Sequence, residues 1–257
     1  VYARVTDGEH EGYLHYDKLK STNSTKAALA ELQKHMERIE AQRFLNVALT
    51  MMDESNPVLL AYNENCGGSV SARFKYGCPY LFAGSNESSL LRPRYASQDS
   101  HYYSTSKLYL GGFDCIGFAR WVHNQVGMKK LPAISETRNA AKPNRIDMQD
   151  LPSAQWAQRM KVGDSINLAG QGGGYHVMIY IGTLRDFGFT AEQVGEQLAP
   201  YLDNPLTIHC GMNNYHTAWY TQYLKDENLT SVTPPDGGVT ISILGIPYDS
   251  VPNTETM

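Results

Sequence analysis

The order of hydrophobic periods along the chain limits its fold more than any other feature: helical spacing comes first and strand-like alternation last. From near Ser24, Ala28, Leu32, Met36 and Ile39 repeat at helical spacing, and Phe44, Ala48 and Met51 continue it. Pro57 marks a stop, so one long helix or two abutting ones are expected here. A second helical pattern places Cys115, Ala119, Val122 and Val126 on one face, with Gly127 as its terminator. Four strand-like runs follow: Ser165 to Leu168, His176 to Ile181, Leu206 to Cys210 and Val239 to Ile246. Helices followed by sequential strands predict an α+β domain with a mainly antiparallel sheet.

The connections read less regularly. Residues Val1 to Asn23 show no clear period, and Asn63 to Ser71 reads as a loop around Gly67-Gly68. Ser85 to Gly112 is a long polar stretch carrying Tyr95, Tyr102, Tyr103 and Tyr109. A loop of that length in a compact domain often serves function; rings that only pin the loop to the core are an equal alternative. Pro132 to Pro152 reads as irregular. Thr183 to Pro205 holds a helical insert, with Thr190 and Gln193 spaced as a capping box. Pro234 to Gly238 reads as a turn before the last strand.

With 22 basic and 26 acidic residues the formal charge is −4, which argues against a nucleic-acid partner. No apolar run reaches the length of a membrane span. Four cysteines, Cys66, Cys78, Cys115 and Cys210, are too few to build a disulfide framework and match no zinc spacing. Cys66 and Cys78 are either two ordinary thiols or, in an oxidising compartment, a pair. Neither a metal nor an organic cofactor is expected.

The segment Gly111-Gly112-Phe113-Asp114-Cys115-Ile116-Gly117-Phe118 carries the main chemical signal. It sets a cysteine at a helix start after a glycine-rich turn. The partial positive charge of a helix N-terminus stabilises a thiolate, which is the nucleophilic form. Glycine, as at Gly112, lets a substrate backbone approach closely. The plain alternative is a buried structural cysteine. A cysteine nucleophile also needs a base. In the run from His176, Val177, Ile179 and Ile181 share the core face, while His176, Met178 and Tyr180 take the other. A third group would hold the imidazole in its useful tautomer. His209 lies off the apolar face of Leu206, Ile208 and Cys210, and its imidazole can meet that of His176 if the two strands pair. Asn213 and His216 are rival orienters.

These residues resemble the NlpC-type (NlpC/P60) family of bacterial cell-wall cysteine peptidases. The family's Phe-Asp-Cys-Ser-Gly-Phe is matched by Phe113-Asp114-Cys115-Ile116-Gly117-Phe118, apart from Ile116. Its Gly-Asp and His-Val-Gly-Ile-Tyr-Ile-Gly are matched by Gly163-Asp164 and by His176-Val177-Met178-Ile179-Tyr180-Ile181-Gly182. Its Ile-His is matched by Ile208-His209, and its Gly-x-Pro-Tyr-x-x-Gly-Gly by Gly77 to Gly84 with Ala83 at one glycine. The resemblance spans roughly Phe44 to Ile246. It implies a papain-like fold with Cys115, His176 and His209 as a catalytic triad, acting on peptidoglycan stem peptides, commonly at the bond between γ-D-glutamate and a diamino acid. Tyr80 resembles the family tyrosine beside the nucleophile. Asp114 resembles the acidic residue that binds the amine of free L-alanyl peptides in some members.

The long link Ser85 to Gly112 and the insert Thr183 to Pro205 depart from the family pattern. So does an N-terminal helical extension, placed at 1–60 ahead of a catalytic domain at 61–257. The chain starts at Val1 rather than methionine, which a removed export signal and a trimmed chain would both produce. With the resemblance, an extracellular or envelope location with the signal removed is expected, and cytoplasmic recycling of wall peptides is the alternative. An amidase or acyltransferase on the same fold, and a non-catalytic binding protein, are the rival functions.

Overall fold

The computed structural model describes residues 2–6, 11–15, 25–66, 74–85, 94–95, 108–127, 148, 150–169, 175–212, 217–235 and 237–246. The chain divides into two compact units, Val1–Arg43 and Phe44–Met257. In the first, strands β1 (Tyr2–Thr6) and β2 (Glu11–His15) pair antiparallel, with Tyr2 opposite His15. This hairpin lies where the sequence showed no period, because five-residue strands with mixed polar residues carry too little alternation to register.

Helix α1 (Thr25–Leu49) is followed by a separate helix α2 (Pro57–Cys66). Pro57 therefore opens a helix instead of only closing one. Its fixed φ and missing N–H suit the first helical position, and Asn56 Oδ1 accepts from the Val58 amide at 3.0 Å. The expected loop from Asn63 begins later, since Asn63 to Cys66 remain helical; Gly67-Gly68 lie outside the described residues.

The second unit is built on a four-stranded antiparallel sheet. Strands β3 (Arg94–Tyr95) and β4 (Leu108–Tyr109) precede it and form a small separate sheet with β8 (Val232–Thr233). The main sheet has β5 (Ser165–Ala169), β6 (Tyr175–Thr183), β7 (Pro205–Met212) and β9 (Gly237–Ile243) in that spatial order. Each neighbouring pair is antiparallel. Helix α3 (Cys115–Gln125) packs its Phe118, Ala119 and Val122 into one core with Val177, Ile179 and Ile208 of the sheet. The architecture is α+β with an antiparallel sheet.

Helix α4 (Ser153–Trp156) precedes β5, and helix α5 (Ala191–Leu198) forms the insert between β6 and β7. The capping box at Thr190 and Gln193 is present. The insert closes on itself where the strands leave the sheet. Arg185 clamps Asp203 through two hydrogen bonds of 2.7 and 3.0 Å, and Asp186 accepts from the Thr183 amide and hydroxyl at 2.9 Å each. The excursion thus returns β7 alongside β6, as a long connection can do at modest entropic cost.

The segment from Gly77 to Gly84 then fixes helix α3 against the sheet. Gly77 turns the chain with φ +79°, where a side chain would be strained, and its carbonyl accepts from the Tyr220 hydroxyl of helix α6 (Thr217–Asp226). On one side Tyr80 donates to the Gly237 carbonyl at 2.7 Å, and the Val239 amide donates to the Cys78 carbonyl at 2.8 Å. On the other, Phe113 donates to Pro79 at 3.1 Å, Leu81 to Phe113 at 2.9 Å and Asp114 to Gly84 at 3.1 Å. Backbone threads the gap between β9 and the turn before Cys115.

That gap admits no side chain. A Cβ on Gly112 would lie 2.0 Å from the Pro79 carbonyl oxygen, and one on Gly117 would lie 2.0 Å from that of Gly84. The missing side chain at Gly112 is thus used by the chain's own Pro79, where the sequence reading assigned that room to a substrate. Inside a helix, Gly→Ala ordinarily stabilises by about 1 kcal/mol. At Gly117 the sign should reverse: Gly117→Ala is expected to cost about 1–3 kcal/mol through overpacking against backbone. Urea unfolding checks this, and an unchanged or higher midpoint would show that the gap is not rigid.

Candidate active site

Cys115 is the first residue of α3, and Asp114 is its N-cap, with Oδ1 accepting from the Gly117 amide at 2.7 Å. The helix starts here because an Asx cap satisfies one of the open amides of its first turn. Helix α3 closes as its sequence indicates: Gly127 adopts φ +75° and donates to the Asn124 carbonyl at 3.1 Å. The Cys115 thiol is partly buried. N–H groups of Val177, Ile116 and Cys115 itself face its sulfur. The Val177 amide belongs to β6, so the thiol lies against the strand that carries His176.

His176 and His209 come together across the β6–β7 pair. His176 Nε2 lies 2.9 Å from His209 Nδ1, and the rings meet edge to face at 89° with centroids 4.7 Å apart. Both side chains leave the face opposite Val177, Ile179 and Ile208, as strand alternation requires. Gly211, on the same face, makes room for the pair. A Cβ there would stand 3.0 Å from His209 Nδ1 and 3.6 Å from His176 Cε1. Beyond the pair, His209 Nε2 lies 2.8 Å from Ser242 Oγ on β9. Ser242 was not singled out from sequence, although Thr240 and Ser242 alternate with Val239, Ile241 and Ile243 and so share the face of His209.

Cys115, His176 and His209 thus occupy one region, and no hydrogen bond joins the thiol to either imidazole among the described contacts. Such bonds often tighten only when substrate is bound. Tyr80 is buried and bridges to Phe113, two residues ahead of Cys115. Asn213 and His216 lie outside the described residues, as do His10, His101, Tyr102 and Tyr103.

Opposing effects act on the thiol. Burial pushes the Cys115 thiol up, and the neighbouring Asp114 carboxylate adds to that rise. The amides of the helix start and of Val177 pull it down but do not win. Desolvation and the Asp114 carboxylate thus work against the thiolate that a helix N-terminus favours. Burial likewise lowers His176. His209 is held down to about 3, first by burial and then by the adjoining His176. Burial thus favours the uncharged form of the thiol and of both imidazoles. Such a set can pass the thiol proton to an imidazole and expose a sulfur nucleophile.

The other described thiols are not comparable. Cys78 and Cys210 are buried; the Cys66 side chain lies outside the described residues. Cys210 Sγ is 3.2 Å from the Phe113 carbonyl oxygen, tying β7 to the turn before Cys115. Burial drives its thiol well up. His123, also off the site, is a satisfied core histidine, with Nδ1 2.8 Å from the Ala119 carbonyl oxygen. Among the described residues no cluster of three or more His, Cys, Asp or Glu is placed to hold a metal, and no helix is long and apolar enough to cross a membrane.

The depressed histidines set a pH dependence of stability. His209 has a folded value of about 3 against an ordinary 6.5, so the unfolded chain binds more protons between those values. Its contribution is fully present above about pH 6.5 and is lost as pH falls toward about 3. The His209→Gln variant should lose up to about 1.4 kcal/mol less per pH unit on acidification from about pH 6.5 to about pH 5. Denaturant unfolding across that window measures the slopes; equal slopes would mean that His209 is not buried neutral.

A family model, the NlpC/P60 family, matches residues 77–225 of the chain. The match contains the Gly77 to Gly84 segment, Cys115, His176 and His209, and stops short of Ser242. No curated protein and no solved structure matches the chain significantly.

Proposed function

The chain belongs to the NlpC/P60 family, and from that premise we propose that it is a papain-like cysteine peptidase acting on peptidoglycan stem peptides, at the bond between γ-D-glutamate and the diamino acid. Family membership supports a cell-wall peptidase activity in general. The observation that carries the residue assignment is the 2.9 Å contact of His176 Nε2 with His209 Nδ1, beside a partly buried thiol at a helix start.

In the proposed reaction Cys115 Sγ attacks the carbonyl carbon of the amide while His176 takes the thiol proton. The carbonyl oxygen gains the negative charge and is met by the Cys115 backbone N–H, with the Tyr80 hydroxyl nearby. His176 then gives its proton to the leaving amine, the C–N bond breaks, and a thioester to Cys115 remains. Water attacks the thioester with His176 again as base, which releases the carboxylic acid and restores the thiol. His209 holds the His176 ring and disperses the imidazolium charge through its Nδ1 lone pair. Asp114 is proposed to receive a free amino group at the N-terminus of the stem peptide. Action outside the cytoplasm, on wall or released wall peptides, fits the same reading.

Incubation with defined muropeptides and mass analysis of the products tests the substrate. Release of the diamino-acid fragment supports the proposal; release of another amide product, or transfer to an amine in place of water, would move the reading to an amidase or acyltransferase. Cys115→Ala and His176→Ala should each abolish turnover with the fold intact, and the double variant should be hardly worse than either, because the two act as one unit. Additive losses would separate them.

A further inference from the structure

The hydrogen-bonded line does not stop at His209. We propose that Ser242 is a positioning residue that accepts the Nε2–H of His209 and thereby keeps His209 Nδ1 as the acceptor for His176, an inference that rests on the thiol–imidazole reading of the site.

The argument is a count of protons. A neutral imidazole carries one N–H and one lone pair, and buried His209 is held neutral. Each of its nitrogens has one partner: Nδ1 meets His176 Nε2 at 2.9 Å, and Nε2 meets Ser242 Oγ at 2.8 Å. Two arrangements satisfy those contacts. In the first, His209 donates Nε2–H to Ser242 and accepts at Nδ1 from His176 Nε2–H. The lone pair of His176 is then at Nδ1, ready to take the thiol proton. In the second, His209 donates Nδ1–H to His176 Nε2. His176 then carries its proton on Nδ1 and has no lone pair left for the thiol. Only the first arrangement supports a base, and only the first tolerates the imidazolium that forms when the proton moves.

The first arrangement needs an acceptor at Ser242. Without the hydroxyl, the His209 Nε2–H would be buried unsatisfied, a state that folded proteins avoid more strictly than an acceptor lone pair without a donor. The pair would then drift toward the second arrangement. Ser242 is half-buried on β9, so its own O–H proton is not forced back onto His209. The sheet register places it there: Ser242 pairs with Thr207, two residues from His209 on the same face of β7. The 77–225 family match does not extend to it.

An isosteric pair separates the hydroxyl from shape. Ser242→Thr keeps the oxygen, and Ser242→Val has the same outline without it; both suit a strand. Two rates are measured at neutral pH with melting temperatures as a check: kcat and KM on the stem peptide, and iodoacetamide labelling of Cys115, which needs no substrate. The Val variant should lose about tenfold in kcat with KM nearly unchanged, and a similar factor in labelling, as the loss of one buried hydrogen bond implies. The Thr variant should stay within about twofold of wild type by the same reasoning. Equal losses in Thr and Val, or none in Val, would overturn the proposal. If wild type cleaves no stem peptide yet labelling still separates Thr from Val, the role of Ser242 stands and the substrate reading fails.

Discussion

The contact between His176 Nε2 and His209 Nδ1 depends on nearly everything else in the second unit. It joins two strands that the insert from Thr183 to Pro205 separates in sequence, so it exists only because that insert closes on itself and returns β7 beside β6. It needs both histidines on the face away from the apolar core, which a register slip of one residue would reverse. It also needs Gly211, where a side chain would press on the imidazoles. The thiol reaches the same place by another route: the Gly77 to Gly84 backbone wedges between β9 and the turn before α3, through gaps that only Gly112 and Gly117 leave open.

Burial and the helix start pull the thiol in opposite directions. Amides at the start of α3 and at Val177 favour a thiolate, whereas desolvation and the Asp114 carboxylate oppose it, and the second pair wins. The same desolvation keeps both imidazoles neutral. An uncharged resting site costs little to bury, since an unpaired buried charge is far more expensive than a hydrogen-bonded neutral group. For the proposed chemistry, burial favours charge separation during attack over a resting ion pair. The line from His176 through His209 to Ser242 is suited to spread the positive charge that then appears.

Much of this was legible in the sequence, for physical reasons that differ by element. The four strands of the main sheet were visible because buried apolar residues alternate in Val177, Ile179, Ile181 and in Leu206, Ile208, Cys210. Cys115, His176 and His209 could be placed on helix start and strand faces from the same spacing. The β1–β2 hairpin was not legible, because its strands are short and mixed in polarity. Pro57 misled because a proline can end a helix or open one, and here α1 already ends at Leu49 and Pro57 opens α2. The burial that opposes a thiolate could not be foreseen, since a helix N-terminus is a local signal whereas desolvation depends on what the fold lays over it. Gly112 shows the same limit: spacing marks a position that admits no side chain, but not whether a ligand or Pro79 fills it. Ser242 was missed because a serine in a strand becomes informative only once register sets it opposite an imidazole.

The directed, neutral imidazole pair is the central claim, and its proton positions can be observed directly. Nitrogen-15 NMR of histidine-labelled protein reads the protonation of each ring nitrogen as pH falls. The account predicts that His209 carries its proton on Nε2, leaves Nδ1 bare, and stays neutral well below the ordinary 6.5, toward about 3. A His209 that titrates near 6.5, or that carries its proton on Nδ1 toward His176, would contradict it.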